Sequence, residues 1–550
     1  MIKSQLKQQL DNCFQQGIHR GFWTEAAADR YTLEVPKREG QGDFATNLAM
    51  VVAGVEKRNP REIATELVSL FKENNGLLER VEIAGPGFVN FFVNRTVWTS
   101  VLPDIFQEDD NFGRAKFGRR QKVLVEFVSA NPTGPLSVGH GRNAILGDSI
   151  ARLLSAVGYD VRREYYFNDA GRQMRVLGAS TRARYLELLG LNHEFPEDGY
   201  QGDYINDIAR KLIEEHGESL KEKDVSFFKQ VAQEAIFADI DATLKHIGII
   251  FDSYFNEHTL YEKGLIDDVV NDLRAKNLVY EKEDATWFKT TEFGQEKDRV
   301  IIKKTGEPTY RLPDIAYHRE KFRRGFDWMI DIFGADHIAT VPDVMSGIRA
   351  LGYDDSRVTV ILHQFVTLMR GGKQVKMSTR KATFITVDEL VDEVGVDALR
   401  FYFLLRKPDS QLEFDLDLAT SQSQENPVYY VQYAHARLCS IDRQAQQQGA
   451  TGAMKDAALS LLVEDEEIEL LKAMADYPAM VAGAARDLAP HRIIFFLMDL
   501  AGRFHRYYNK HKVLGENPAL TGARLQLCRA LKIVLRNGLQ LAGMTAPEKM

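Results

Sequence analysis

Apolar and polar positions along this 550-residue chain fall into three regimes. In residues 1–110 helical and strand patterns mix. Asn59 and Pro60 open a helix as cap and first-turn residue, while 81–83 and 88–93 read as strands around an Ala84-Gly85-Pro86-Gly87 turn. Residues 109–120 are polar and read as a linker. From 121 to 410 strand and helix patterns alternate. The run 123–128 is apolar apart from Glu126, 144–157 is amphipathic and stops at Gly158, and 161–167 is a second strand-like run. This β-α-β succession predicts a parallel sheet of the nucleotide-binding kind, and the charged helical stretch 195–229 reads as an insertion. Residues 420–550 carry no strand pattern and predict an all-helical bundle.

Between the run 123–128 and the helix after it lies Asn131-Pro132-Thr133-Gly134-Pro135-Leu136-Ser137-Val138-Gly139-His140-Gly141. Prolines stiffen such a turn, and glycines let a ligand approach the backbone. The helix start beyond it aims N–H groups and partial positive charge at an anion, with His140 at the mouth. The chemistry suits nucleotide phosphates. Gly139 to Ala144 also fits G-x-G-x-x-A, yet the turn is too long for the dinucleotide fingerprint, which follows its strand at once.

A second segment, Gly371-Gly372-Lys373-Gln374-Val375-Lys376-Met377-Ser378-Thr379-Arg380-Lys381, sets four cations behind paired glycines. Such a loop can close over a triphosphate and neutralise departing pyrophosphate; a solvated basic surface is the plainer reading. Glu126 is the odd charge in its strand and requires a cationic partner if buried. Asp314 lies four residues after Tyr310, on one face if that stretch is helical. An ordinary helix cap is the plainer reading of a carboxylate there.

Composition adds bounds. With 44% hydrophobic and 27% charged residues the chain can bury large cores, and no apolar run reaches the roughly 20 residues of a membrane span. Met1 to Lys7 is polar, without the apolar core of a signal peptide. Cys13, Cys439 and Cys528 are scattered, so neither a disulfide framework nor a metal site is indicated, and a reducing, cytoplasmic setting is expected. A net charge of −8 disfavours a general nucleic-acid coat but allows local basic surfaces. Arg486, Arg492, Arg503, Arg506, Lys510 and Lys512 interleave with Phe495, Phe496, Phe504, Tyr507 and Tyr508, a pattern that serves base stacking or, for most of the rings, helix core. Arg529, Lys532 and Arg536 share one helix face opposite Leu527, Leu531 and Val534 and are candidate phosphate contacts.

Taken together, Ser137-Val138-Gly139-His140 and Lys376-Met377-Ser378-Thr379-Arg380 resemble the HIGH and KMSKS elements of class I aminoacyl-tRNA synthetases. Within that class the chain is similar to the arginyl-tRNA synthetases. Phe127 to Pro135 resembles their version of the first motif, and Pro308-Thr309-Tyr310-Arg311-Leu312-Pro313-Asp314 to His318 their amino-acid-site motif. Gly334-Ala335-Asp336-His337, Gly395 to Arg400, Asn426 to Arg437, Gly42 to Asn47 and Ala84 to Phe91 match further elements in family order. Two positions depart from the pattern: Ser137 stands where the family usually has His, and Thr379 where the class has a second Lys.

The resemblance implies a Rossmann-type α/β catalytic core (121–410) with a helical insertion, an N-terminal α+β domain (1–110) that helps recognise tRNA, and an all-α anticodon-binding bundle (420–550). It implies ATP-dependent joining of L-arginine to tRNA(Arg) through arginyl-adenylate, with Mg²⁺ accompanying ATP, by a monomer. The alternative raised by Ser137 and Thr379 is a tRNA-binding paralogue without catalysis; a synthetase for another amino acid, such as lysine, is a third reading. The implied arginine site is Glu126, Ser129, Asn131, Tyr310 and Asp314, with Asp314 and Tyr310 on the guanidinium and Ser129 and Asn131 on the α-ammonium or carboxylate. The implied ATP site is Asn131, Pro132, Thr133, Gly134, Pro135, Leu136, Val138, Gly139, Asp336, His337, Met377 and Ser378, with His140, Ser137, Lys376 and Arg380 stabilising charge. Tyr433 and Arg437 are implied anticodon contacts. Tyr200 to Tyr204 and Phe251 to Glu257 are assigned to structure or to the acceptor end of tRNA.

Overall fold

The computed structural model describes residues 2–28, 30–36, 38, 40–71, 76–375, 385–450 and 458–550. Asn59 caps the helix Pro60–Phe71, its side chain accepting from Arg61 N at 2.9 Å. The hairpin Leu78–Ala84 and Phe88–Val93 forms as its alternation predicts, within a four-stranded antiparallel sheet backed by the helices Leu48–Glu56 and Pro60–Phe71, with Ile2–His19 packed on the latter. This is the α+β unit expected at the N-terminus.

The central unit is built on a five-stranded sheet of Val358–His363, Trp328–Gly334, Lys122–Glu126, Asp160–Phe167 and Ser253–Asn256, in that spatial order. All four pairings are parallel. Chain order runs outward in both directions from Lys122–Glu126, so its junction with Trp328–Gly334 is the topological switch point, where open α/β sheets bind ligands. The helix Val138–Ala156 begins six residues before the amphipathic pattern becomes visible at Ala144, because Ser137 supplies an N-cap. It lies close on the sheet: a Cβ on Gly147 would come within 2.2 Å of the Phe127 ring.

The insertion is helical, as its charge pattern predicts, and larger than 195–229: Gly171–Leu188, Asp203–His216 and Val225–His246 pack together. Beyond residue 410 the strand Leu412–Asp415 pairs in parallel with Val366–Arg370, so the central unit extends structurally through the helix Leu416–Thr420. The C-terminal part is a bundle of Pro427–Gln447, Asp465–Arg486, His491–Lys510 and Pro518–Leu541.

The polar stretch 109–120 is not a free linker. Phe112 is buried and stacks on Tyr477, Asn537 donates to the Asp109 carbonyl at 2.7 Å, and Arg536 pairs with Asp109 and Asp110. Arg400, fully buried, binds the carbonyls of Ala542 and Ile247 and the carboxylate of Asp148. These contacts clamp the bundle against the catalytic unit. Cys13, Cys439 and Cys528 are buried thiols that form no disulfide, and no helix among the described residues is long and apolar enough to cross a membrane.

Candidate active site at the sheet switch point

A cleft of about 750 Å³ opens at the carboxyl ends of Lys122–Glu126 and Trp328–Gly334. Residues far apart in sequence meet on its walls: Glu126, Ser129, Asn131, Ser137, Val138, Gly139, His140, Tyr310, Asp314, Asp336 and His337. Pro132, Thr133, Gly134, Pro135 and Leu136 do not line it. They form a brace behind the wall: the Tyr204 hydroxyl of the insertion donates to the Thr133 carbonyl, the Tyr204 ring lies against Gly134, and the Leu136 carbonyl accepts from Val387 N at 2.9 Å. Lys376, Met377, Ser378 and Arg380 fall outside the described residues.

On one side, the turn delivers His140 one position past Gly139 on the first turn of its helix. The backbone N–H of Ser137 donates to His140 Nδ1 at 3.2 Å. Burial lowers the imidazole pKa below its ordinary value, with Asp336 opposing that shift, so the ring is neutral near pH 7 and carries its proton on Nε2. Across from it, the short turn Ala335–Ala339 follows the strand Trp328–Gly334 and presents Asp336 and His337, both exposed. Gly334 makes this possible, since a Cβ there would sit 2.4 Å from Asp336 Oδ1.

On the other side the floor is acidic. Glu126 does have the cation its burial demands: Lys321 Nζ is 2.6 Å from Glu126 Oε2 and 2.6 Å from Asp331 Oδ1. His318 Nε2 lies 2.8 Å from the other oxygen of Asp331. Burial works against Asp331's charge, but Lys321 and His318 prevail and hold it well below the usual carboxylate range, whereas burial pushes Glu126 up despite Lys321. Asp314 differs. It lines the cleft partly exposed, with no side-chain hydrogen bond among the described residues, and desolvation, with the nearby charges of Glu126 and Glu257, raises it to about 7 against the pull of His318 and Lys321. Tyr310 precedes the helix Arg311–Arg323 and stands at the mouth, 72% exposed, rather than over the floor.

Sequence reasoning missed Lys321, His318, Asp331 and Asn143, and also Gln173, whose Oε1 accepts from Asn131 Nδ2 at 2.6 Å. Asp331 carried a usable signal, being a lone acid in an apolar strand just as Glu126 is.

In the helical bundle, Tyr429, Tyr433 and His505 form a ring stack, and the Arg437 guanidinium lies 4.6 Å from both the Tyr433 and Tyr508 rings. The plainer reading holds for Phe504 and Tyr507, which are core. On the expected phosphate face, Arg529 and Lys532 both pair with Asp442, at 2.8 and 2.7 Å, and Arg536 pairs with Asp109 and Asp110. Helical spacing gathered these cations, and carboxylates from other elements pair with them, one carboxylate being shared by Arg529 and Lys532.

Family models agree with this architecture. Residues 101–402 match the catalytic domain of class I tRNA synthetases (R), 1–93 the arginyl tRNA synthetase N-terminal domain, and 431–550 the DALR anticodon binding domain. The chain belongs to the class I arginyl-tRNA synthetase family. It is 64% identical to an arginine–tRNA ligase of Desulfotalea psychrophila and 48% identical to one of Syntrophotalea carbinolica, covering at least 99% of each protein. The arginyl-tRNA synthetase of Thermus thermophilus shares its fold over 100% of both chains, with a TM-score of 0.76 at 23% identity. Within this family's architecture, the cleft lies in the part of the chain matched by the synthetase catalytic domain.

Proposed function

We propose that this chain attaches L-arginine to tRNA(Arg) at the expense of ATP, in two steps. Arginine's carboxylate oxygen attacks the α-phosphorus of ATP; the bond to the β-phosphate breaks and pyrophosphate leaves. A ribose hydroxyl at the tRNA terminus, the 2′-hydroxyl by family resemblance, then attacks the acyl carbon of arginyl-adenylate and AMP departs. The observation that carries this reading is the unpartnered Asp314 carboxylate sharing one cleft with the His140 imidazole. Desolvating a carboxylate that no cation hydrogen-bonds is costly, and a substrate guanidinium removes that cost.

In this reading Asp314 and Glu126 hold the guanidinium, Tyr310 closes over it from the mouth, and Ser129 and Asn131 orient the α-amino acid group. His140 donates from Nε2 to the α-phosphate as charge develops there, an electrostatic role that needs no proton transfer. The backbone of Ser137, Val138 and Gly139 adds the field of a helix N-terminus; Asp336 and His337 contact adenosine. Lys376, Met377, Ser378 and Arg380 grip the triphosphate, and Arg380 supplies the cation that Thr379 does not. Asn143 and Lys321 act behind these groups.

Mg²⁺ enters with ATP as its counter-ion. Among the described residues the one cluster able to hold a metal, Glu464, Glu466 and His511, lies in the helical bundle, where Lys510 already pairs with Glu466, so no step is routed through a protein-held ion. Tyr433 and Arg437 offer a stacking surface for splayed anticodon bases. Three buried thiols outside any disulfide fit a reducing compartment, the cytoplasm, and the protein acts as a monomer.

The test is ATP–pyrophosphate exchange with arginine, lysine or cysteine, each with and without tRNA(Arg). Exchange with arginine is expected; exchange with lysine alone overturns the specificity, and exchange with none of the three favours a tRNA-binding paralogue.

A further inference from the structure

Just past the strand Lys122–Glu126, Val128 and Ser129 both adopt left-handed backbone conformations, with φ of 66° and 42°. A β-branched residue rarely adopts this geometry, and each such residue costs about 1–2 kcal/mol. Something must hold the turn. The Val128 N–H donates to Asn143 Oδ1 at 2.7 Å. The same side chain, 5% exposed, donates through Nδ2 to the Ile332 carbonyl at 2.8 Å and faces His363 Nε2 at 3.3 Å. Asn143 therefore ties together the ends of the three strands that surround the switch point. The strained turn has a consequence one residue on. Ser129 Oγ donates to Glu126 Oε1 at 2.9 Å and accepts from Tyr166 N at 3.1 Å, so the position of Ser129 orients the carboxylate facing the amino-acid side of the cleft.

We infer that Asn143 is a positioning residue for amino-acid binding: by accepting from Val128 N it keeps the left-handed turn, and through Ser129 the orientation of Glu126, in the substrate-ready geometry. This rests on the arginine-binding reading given above. The Oδ1 bond serves the arginine side, and the Nδ2 bonds serve sheet integrity, so the two functions of one side chain are separable. Asn143→Asp keeps the acceptor for Val128, and when protonated can still donate to Ile332. Asn143→Leu keeps the volume and removes the acceptor.

The experiment measures Michaelis constants for arginine and for ATP in aminoacylation of tRNA(Arg), together with melting temperature, for the full-length wild type and both variants. Asn143→Leu is expected to raise the arginine constant about tenfold, the loss of one buried hydrogen bond, while the ATP constant changes far less; Asn143→Asp is expected to restore the arginine constant to near wild type. If the leucine variant does not fold, Asn143→Ala, which leaves room for water to satisfy the exposed partners, must show the same rise. Equal rises in both constants, equal effects of Asp and Leu, or no rise at all overturn the inference. A wild-type enzyme that fails to activate arginine instead overturns the underlying reading.

Discussion

Ser137 and His140 are joined by a bond from the Ser137 backbone N–H to His140 Nδ1 at 3.2 Å. A backbone N–H can only donate, so Nδ1 must be the unprotonated nitrogen and Nε2 the donor. The Ser137 hydroxyl oxygen also lies 3.3 Å from Nδ1, so residue 137 meets the ring with both its main chain and its side chain.

A His140→Ala enzyme is expected to form adenylate about 10²–10³-fold more slowly, the usual cost of losing one preorganised donor to a developing oxyanion. Pyrophosphate exchange measures it. Because burial lowers the His140 pKa from 6.5, its ring resonances should titrate with a midpoint below that value, and acidification should not accelerate the reaction. Wild-type exchange by the alanine variant removes His140 from the mechanism.

Asp314 titrates at about 7 in the free protein, and arginine requires it ionised. The arginine Michaelis constant is expected to fall as pH rises from 6 to about 7.5 and then level, with proton release on binding detectable by calorimetry in two buffers. Asp314→Asn should abolish that pH dependence and weaken arginine by about 1.5–3 kcal/mol.

The same group carries a stability signature. Its folded-state pKa lies above the unfolded value near 3.8, so its contribution to stability is complete below that value and is lost as pH rises through about 7. Without arginine, Asp314→Asn should melt above the wild type at pH 8 and by a much smaller margin at pH 5. Parallel curves at both pH values would show that the carboxylate is not buried uncharged.

Lys321, fully buried between Glu126 and Asp331, is expected to be among the most costly positions to change. Lys321→Met leaves two buried carboxylates sharing no cation, and should lower unfolding free energy by about 3–5 kcal/mol in urea titration.

For tRNA, Lys532→Gln should change the slope of log affinity against log salt by less than a full phosphate contact does, since its charge is partly offset by the Asp442 it shares with Arg529. A true phosphate contact would reduce the slope by roughly 0.7–0.9. Arg437→Ala, by contrast, should cost about 1–3 kcal/mol in tRNA affinity through lost stacking.

Much of this protein was legible before any coordinates. The alternation of periods 2 and 3.6 through 123–167 predicts the parallel β-α-β core, and the helix cap at Asn59, the hairpin around Gly85 and the strandless C-terminal region all form as read, because each depends on residues within a few positions. Glu126 was recognisable as a charge needing a partner, since an apolar strand makes its burial nearly inevitable. Ordered motifs along the chain sufficed to indicate the family.

What the local pattern could not contain were pairings across the fold. Lys321 is 195 positions from Glu126, and the carboxylates that pair with Arg529, Lys532 and Arg536 come from another helix and from the polar stretch at 109–110. The proline-rich turn is a brace for the cleft rather than its lining, because Tyr204 arrives from the insertion to cover it. Short-range order follows from backbone sterics and side-chain periodicity, both written along the chain. Which charge meets which, and which remains alone as Asp314 does, depends on desolvation and distance, and these exist only once distant segments have packed.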